Sequence, residues 1–220
     1  MTRVKICCIA SVEEARVAVR LGASAVGLVS EMPSGPGVIP EALIAEVAAT
    51  VPPPIGRFLL TSRTDPAEIV SQQKRCGANT VQLCDRLPQG GHAALRRSLP
   101  GISLVQVIHV TGQDSVQEAL EVSSEVDALL LDSGNPSLPR KVLGGTGRTH
   151  DWTLSAEIVR RSPVPVFLAG GLHSANVGEA IRQVRPFGVD VCSGVRTDDA
   201  LDERKLADFM AAVAQAARQV

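Results

Sequence analysis

"RVKICCIASVEEARVAVRLG", residues 3–22, decides the fold. Its opening run, RVKICCI, is rich in β-branched and apolar residues. The stretch that follows, SVEEARVAVRLG, spaces its apolar residues as one face of a helix does. A strand thus leads directly into an amphipathic helix, and the same unit recurs down the chain. "SAVGLVS" (24–30) is followed by "PEALIAEVAATV" (40–51), "IGRFLLT" (55–61) by "DPAEIVSQQKRCG" (65–77), and "NTVQLCD" (79–85) by "GHAALRRSL" (91–99). "SLVQVIHV" (103–110) precedes "DSVQEALEVS" (114–123), and "DALLLDS" (127–133) precedes "LSAEIVRRS" (154–162). "PVFLAGG" (165–171) with "SANVGEAIRQV" (174–184), and "GVDVCSG" (188–194) with "DERKLADFMAAVAQAARQV" (202–220), bring the total to eight.

Strand runs that are apolar nearly throughout suit a parallel sheet covered on both faces, with the helices as crossovers. Eight units in 220 residues point to a compact (β/α)8 (TIM) barrel spanning residues 1–220 as a single domain. A doubly wound sheet is the competing arrangement, but its glycine fingerprint is missing after the first strand, where the chain reads CCIASVEE.

The bulk composition narrows the function. With a formal net charge of −1 and no basic block, the chain lacks the signature of a nucleic-acid or membrane-surface binder, which leaves a small molecule as the expected partner. Aromatic residues make up 2% and tyrosine is absent, so no stacking platform for bases is foreseen. The start, MTRVKICC, has no long apolar run with a cleavage site, and no stretch approaches a membrane span, so the expected location is the cytoplasm. Five scattered cysteines without C-x-x-C spacing fit reduced thiols. The oligomeric state is not legible.

In such a barrel the reactive groups gather at the carboxyl ends of the strands. Those ends carry Cys7 and Cys8, Ser30 and Glu31, Thr61 and Ser62, Cys84 and Asp85, His109, Asp132, Gly170 and Gly171, and Cys192 to Gly194. The last two sets, "AGGL" (169–172) and "CSGV" (192–195), follow the seventh and eighth strands, where barrels commonly hold a phosphate on backbone N–H groups. Two connections stand out, "EMPSGPGVIP" (31–40) and the long "SGNPSLPRKVLGGTGRTHDW" (133–152). Loops of the second kind often serve as lids.

Four motifs carry a resemblance: "VKIC" (4–7), "GGTGRTHDW" (144–152), "AGGLHSANV" (169–177) and "RPFGVDVCSGV" (185–195), with "NTVQL" (79–83) and "LLLD" (129–132) in agreement. Together they resemble the phosphoribosylanthranilate isomerase family of tryptophan biosynthesis along the whole chain. The resemblance implies a (β/α)8 barrel with neither metal nor organic cofactor, catalysing an Amadori rearrangement of an aminoaldose phosphate to an aminoketose. By position it implies Cys7 as general base and Asp132 as general acid. It implies Gly170, Gly171, Ser193 and Gly194 at the phosphate, with Gln82 and Asp190 also at the substrate. The chemistry requires such a pair: a proton must reach the ring oxygen, and a base must take the hydrogen beside the resulting imine. Asp132 then needs a raised pKa, and Cys7 a lowered one for which Lys5, about 6–7 Å deeper on the same strand face, is a source of charge. Alternation places Lys5 and Cys7 inside the barrel and Cys8 outside, as a small buried hydrophobe like Cys76.

Departures from the family pattern cluster at the site. Cys8 stands where glycine is usual, Cys84 replaces a histidine, Arg196 replaces a glutamate, and His109 occupies a place expected to be small. The segment PSGPGVI (33–39) lacks the arginine that faces the anthranilate carboxylate, which leaves Arg57, Arg63, Arg140, Arg148 or Arg196 to substitute. These departures keep three alternatives open: an isomerase of a different phosphosugar, a zinc enzyme using Cys7, Cys84, His109, Asp132 and Cys192, or a non-catalytic phosphosugar-binding protein. His92, His150 and His173 read as surface or capping residues, and "RTDD" (196–199) as helix-start carboxylates.

Overall fold

Each of the eight units becomes a strand followed by a helix in the computed structural model, which describes residues 2–134, 143, 147 and 149–218. Strand β1 (Arg3–Ile6) leads to α1 (Val12–Arg20), β2 (Ala25–Val29) to α2 (Glu41–Thr50), β3 (Gly56–Thr61) to α3 (Pro66–Cys76) and β4 (Thr80–Leu83) to α4 (Gly91–Ser98). Strand β5 (Ser103–His109) leads to α5 (Asp114–Ser123), β6 (Ala128–Asp132) to α6 (Trp152–Arg161), β7 (Val166–Leu168) to α7 (Val177–Val184) and β8 (Gly188–Val191) to α8 (Glu203–Ala216). All eight strands pair in parallel and in chain order, and β8 closes the barrel on β1 with Lys5 opposite Asp190 and Ile6 opposite Val191.

The double burial of the strands explains their composition. In β6, Leu129 and Leu131 face the helices while Ala128 and Leu130 face the barrel axis, so an unbroken apolar run serves two layers. The outer layer unites residues such as Ile6, Leu28, Leu59 and Phe209 beneath the helices. The inner layer stacks Ala25, Phe58, Val105, Leu130 and Phe167. Asp132 ends β6 on the inner side of this alternation, which is why a carboxylate stands at the mouth.

Helix starts are set by side chains that take up exposed backbone N–H groups. Ser11 caps α1 by accepting from Glu14 N–H, Asp65 caps α3 ahead of Pro66, Asp151 caps α6 and Asp202 caps α8. The segment RTDD does not begin a helix. Asp198 and Asp199, both at positive φ, turn a short hairpin between β9 (Arg196–Thr197) and β10 (Ala200–Leu201), as a two-residue turn of that hand requires. The helix-start carboxylates are instead Asp202 and Glu203. His92 is also not a surface cap: it is buried, with Nε2 3.0 Å from Gln106 Oε1. His173 is exposed beside α7. His150 is held by Ser155 Oγ at 2.7 Å, and burial pushes its pKa down to about 4.

Candidate active site

A hollow of about 720 Å3, part of it open solvent, occupies the carboxyl-end mouth of the barrel. Cys7, Gln82, Cys84, Asp132, Gly170, Gly171, Asp190 and Ser193 all line it, so one cavity unites most of the residues singled out in the sequence. Met32, Ser34, Gly35 and Pro36 of the β2–α2 connection form one wall, and Leu143 and Gly147 another.

Beneath the cavity, reached through Asp190 in its lining, lies an ion pair. Lys5 Nζ lies 2.9 Å from Asp190 Oδ1 with the lysine side chain fully buried. Burial alone would push the Lys5 ammonium down, but Asp190 and the thiols of Cys7 and Cys8 more than offset it, so the lysine stays charged. A Cβ added at Gly27 would come within 2.9 Å of Cys7 Sγ and 3.0 Å of Lys5 Nζ. The ammonium and the thiol therefore meet across a space that only glycine leaves. The long lysine stem has carried its charge up toward Cys7, nearer than the spacing of the two backbone positions suggests.

Cys7 is lowered from the usual thiol range chiefly by the adjoining Cys8 thiol. Burial opposes this, and Lys5 reinforces it. Asp132 moves the other way. Burial raises its carboxyl, against the Ser133 N–H that donates to Oδ1 at 2.7 Å and the neighbouring His109. One group is biased toward the thiolate and the other toward the protonated acid, the two states that an acid/base pair requires.

Cys8 is where the sequence reading fails. Strand β1 ends at Ile6, and Cys8 adopts φ 62, a left-handed conformation that reverses the side-chain alternation. Its thiol therefore lines the cavity rather than facing the helices, with Sγ 2.6 Å from Cys192 Sγ and 3.7 Å from the Pro36 carbonyl. Gly37 packs directly on Cys8 and has no room for a side chain. The positive φ also gives a backbone reason for the glycine usual at this position.

Arg196 reaches across to the same corner. Its guanidinium binds both oxygens of Glu14, at 3.1 and 2.7 Å, and donates to the Cys8 carbonyl oxygen. Glu14 also accepts from the N–H groups of Ala10 and Leu201, tying the β1–α1 connection to the β9–β10 hairpin. The sequence reading missed Glu14, and nothing in its local sequence separates it from a solvated helix carboxylate. The Lys5–Asp190 pair did have a signal, a charge in the interior of each of two largely apolar strands that closure makes neighbours.

The ends of β7 and β8 are shaped by close approach. Gly170 and Gly171 both have positive φ, at 86° and 60°. A Cβ on Gly194 would collide with the Leu172 carbonyl, so the β7 and β8 loops meet as closely as bare backbone allows. Ser193 opens a 3-10 turn (Ser193–Val195) at the cavity rim.

The remaining positions lie outside the cavity or are already engaged. His109 stands opposite Asp132 in the β5–β6 register, with Nε2 3.1 Å from the Cys84 carbonyl and Nδ1 without a hydrogen-bond partner among the described residues. Cys84 is held protonated, pushed up to about 12 by burial first and by Cys7 next. Arg57 begins β3 at the opposite end of the barrel, Arg63 pairs with Glu68 at 3.0 Å, and Arg196 is committed to Glu14. Arg140, Arg148 and much of the GGTGRTHDW motif lie outside the described residues. Among the described residues, no group of three or more His, Cys, Asp or Glu side chains is arranged to hold a metal ion. Likewise, no helix among them is long and apolar enough to cross a membrane.

A closed parallel barrel with a thiol, a carboxyl and glycine-lined loops at its carboxyl-end mouth is the architecture of a (β/α)8 enzyme. The sequence profile of the N-(5'phosphoribosyl)anthranilate (PRA) isomerase family matches residues 4–212, and the chain belongs to that family. It is 36% identical over 210 residues to N-(5'-phosphoribosyl)anthranilate isomerase 2 of Methanosarcina mazei, covering 94% of this chain and 92% of the relative. It is 34% identical to the isomerase of Methanocella arvoryzae over 198 residues, 90% and 91% of the two chains. Among solved structures, phosphoribosyl anthranilate isomerase from Thermotoga maritima superposes with a TM-score of 0.83 at 30% identity, covering 98% of this chain and all of the other. A phosphoribosyl anthranilate isomerase in complex with reduced 1-(o-carboxyphenylamino)-1-deoxyribulose 5-phosphate gives a TM-score of 0.81 at 28% identity, with 98% and 100% covered.

Proposed function

We propose that the protein is a cytoplasmic isomerase that converts N-(5'-phosphoribosyl)anthranilate to its aminoketose by acid/base chemistry between Asp132 and Cys7. The observation that carries this reading is the shared cavity, where these two residues sit above the Lys5–Asp190 pair and beside the glycine loops of β7 and β8.

Asp132, protonated, gives its hydrogen to the ring oxygen of the ribosylamine. The C1–O bond breaks and the nitrogen lone pair forms an imine with C1. That imine acidifies C2, and the Cys7 thiolate takes the C2 hydrogen to leave an enaminol. Tautomerisation to the ketone places a hydrogen on C1, so the product is an isomer of the substrate and no external oxidant or reductant enters. Gly170, Gly171, Ser193 and Gly194 hold the phosphate on backbone N–H groups, which fixes the sugar between base and acid. The buried amide of Gln82 faces the sugar with an oxygen that has no hydrogen-bond partner in the described structure. Asp190 acts through Lys5, keeping beside Cys7 the positive charge that favours its thiolate.

One observation favours a second substrate. Among the described residues, the cavity lining contains no lysine or arginine to meet the carboxylate of the aromatic ring. A phosphosugar without that carboxylate would fit the same acid/base pair. Complementation separates the two readings. Expression in a tryptophan auxotroph lacking the isomerase is expected to restore growth, and the Cys7→Ala variant is expected not to. Failure of the wild-type chain to restore growth, with turnover of another N-linked phosphoribosylamine by the purified protein, would establish the second reading.

A further inference from the structure

We propose that Cys8 and Cys192 are a dithiol modification site at the barrel seam, which peroxides oxidise to an intramolecular disulfide. The two residues follow β1 and β8, the strands whose pairing closes the barrel, and Cys7 N–H donates to the Val191 carbonyl at 2.8 Å to continue that pairing. The left-handed turn at Cys8 then swings its thiol across the seam, bringing the sulfurs to 2.6 Å although the residues lie 184 positions apart. A disulfide bond of about 2.05 Å is only about 0.5 Å shorter. Both thiols line the solvent-open cavity, and the Arg196 guanidinium stands beside them, bound to the Cys8 carbonyl. Cys192, only partly buried, is reachable by a small peroxide from that cavity.

The order of events follows from exposure. Cys192 is the more exposed of the two, while Cys8 is held protonated, first by its contact with Cys192 and then by Cys7. The Cys192 sulfur attacks hydrogen peroxide, an S–O bond forms as the O–O bond breaks, and water leaves to give a sulfenic acid. The Cys8 sulfur then displaces the hydroxyl from Cys192. The S–S bond forms, the S–O bond breaks and a second water departs, so the two thiols lose two electrons and the peroxide gains them. The other thiols are poorly placed. Cys84 and Cys76 are buried, and a Cys7–Cys8 bridge would strain a ring closed over one planar peptide bond.

The linkage removes the Cys8 S–H beside Cys7 and tethers the Ser193 loop to the end of β1. Its bearing on turnover rests on the isomerase reading, but its formation does not, so the test reads thiols rather than activity. The reduced chain is treated in its folded state with a small excess of hydrogen peroxide, quenched, unfolded in guanidinium chloride, alkylated with N-ethylmaleimide and mapped by mass spectrometry after digestion without reductant. The expected result is a peptide pair joined through Cys8 and Cys192, with loss of alkylation at both, retained alkylation at Cys7, Cys76 and Cys84, and recovery of both thiols in dithiothreitol. In Cys192→Ser the joined pair is expected to be absent. Undiminished alkylation of Cys8 and Cys192 in the wild-type chain, or a bridge that uses Cys7 instead, overturns the proposal.

Discussion

In the proposed reaction Cys7 and Asp132 must hold opposite protonation states at the same pH, and the structure biases each toward the state it needs. Because the thiol is lowered and the carboxyl raised, rate follows the fraction of molecules with a Cys7 thiolate and a protonated Asp132. We expect kcat/KM to rise with pH as the thiolate forms and then fall as the carboxyl ionises. Asp132→Asn is expected to lower turnover by about a hundredfold or more and to abolish the falling limb. A falling limb that survives in Asp132→Asn would assign it to another group. Gly27 makes the setting possible from below. Gly27→Ala is expected to cost about 1–3 kcal/mol in denaturant unfolding, because its Cβ drives into Cys7 Sγ and Lys5 Nζ. The same variant should shift the pH profile of Cys7 alkylation, which a defect confined to packing would not. At this scale the sequence was only half legible. Strand-end position and motif picked out Cys7 and Asp132, whereas the orientation of Cys8 depended on a backbone sign that its side chain gives no reason to foresee.

Between elements, a largely buried ion pair joins the β1–α1 connection to the β9–β10 hairpin through Glu14 and Arg196. Both side chains are largely buried, at 16% and 8% exposure, so removing one partner strands the other out of water. Arg196→Met is expected to lower stability by about 3 kcal/mol in denaturant unfolding, and Glu14→Gln by less because an amide still accepts hydrogen bonds. Glu14 is depressed by Arg196 and backbone N–H donors despite its burial. Its contribution is therefore present above the ordinary glutamate range and fades as pH falls through its lowered folded value. In Glu14→Gln this part of the acid sensitivity should vanish; an unchanged dependence of unfolding on pH would contradict the assignment. The elements themselves were legible because doubly buried strands read as apolar runs and the helices between them alternate polar and apolar faces. Contacts such as Glu14 with Arg196, 182 positions apart, depend on which ends of the barrel meet, and local patterning does not encode that.

For the whole molecule, closure of β8 on β1 makes the last unit essential. Helix α8 buries Leu206, Phe209 and Val213 against the outer layer, at roughly 1.5–3 kcal/mol for each large side chain. The sum rivals the total stability of about 5–15 kcal/mol typical of such chains. A chain ending at residue 202 is therefore expected to lose cooperative unfolding by circular dichroism, and a sharp transition in it would refute that role for α8. Barrel and family were both legible in the order of the motifs. The charges inside the barrel were visible as lone ionic residues in apolar strands, but their pairing was not, because it exists only once β8 has closed on β1. The account as a whole stands on one reaction at one mouth, and the most direct measurement is turnover of N-(5'-phosphoribosyl)anthranilate by the purified chain and its Cys7→Ser variant, with inorganic phosphate binding measured in both. The expected result is conversion to the aminoketose by the wild type, a loss of at least about a hundredfold in kcat on substitution, and equal phosphate affinity. Undiminished turnover in Cys7→Ser, or no conversion by the wild type, would contradict it.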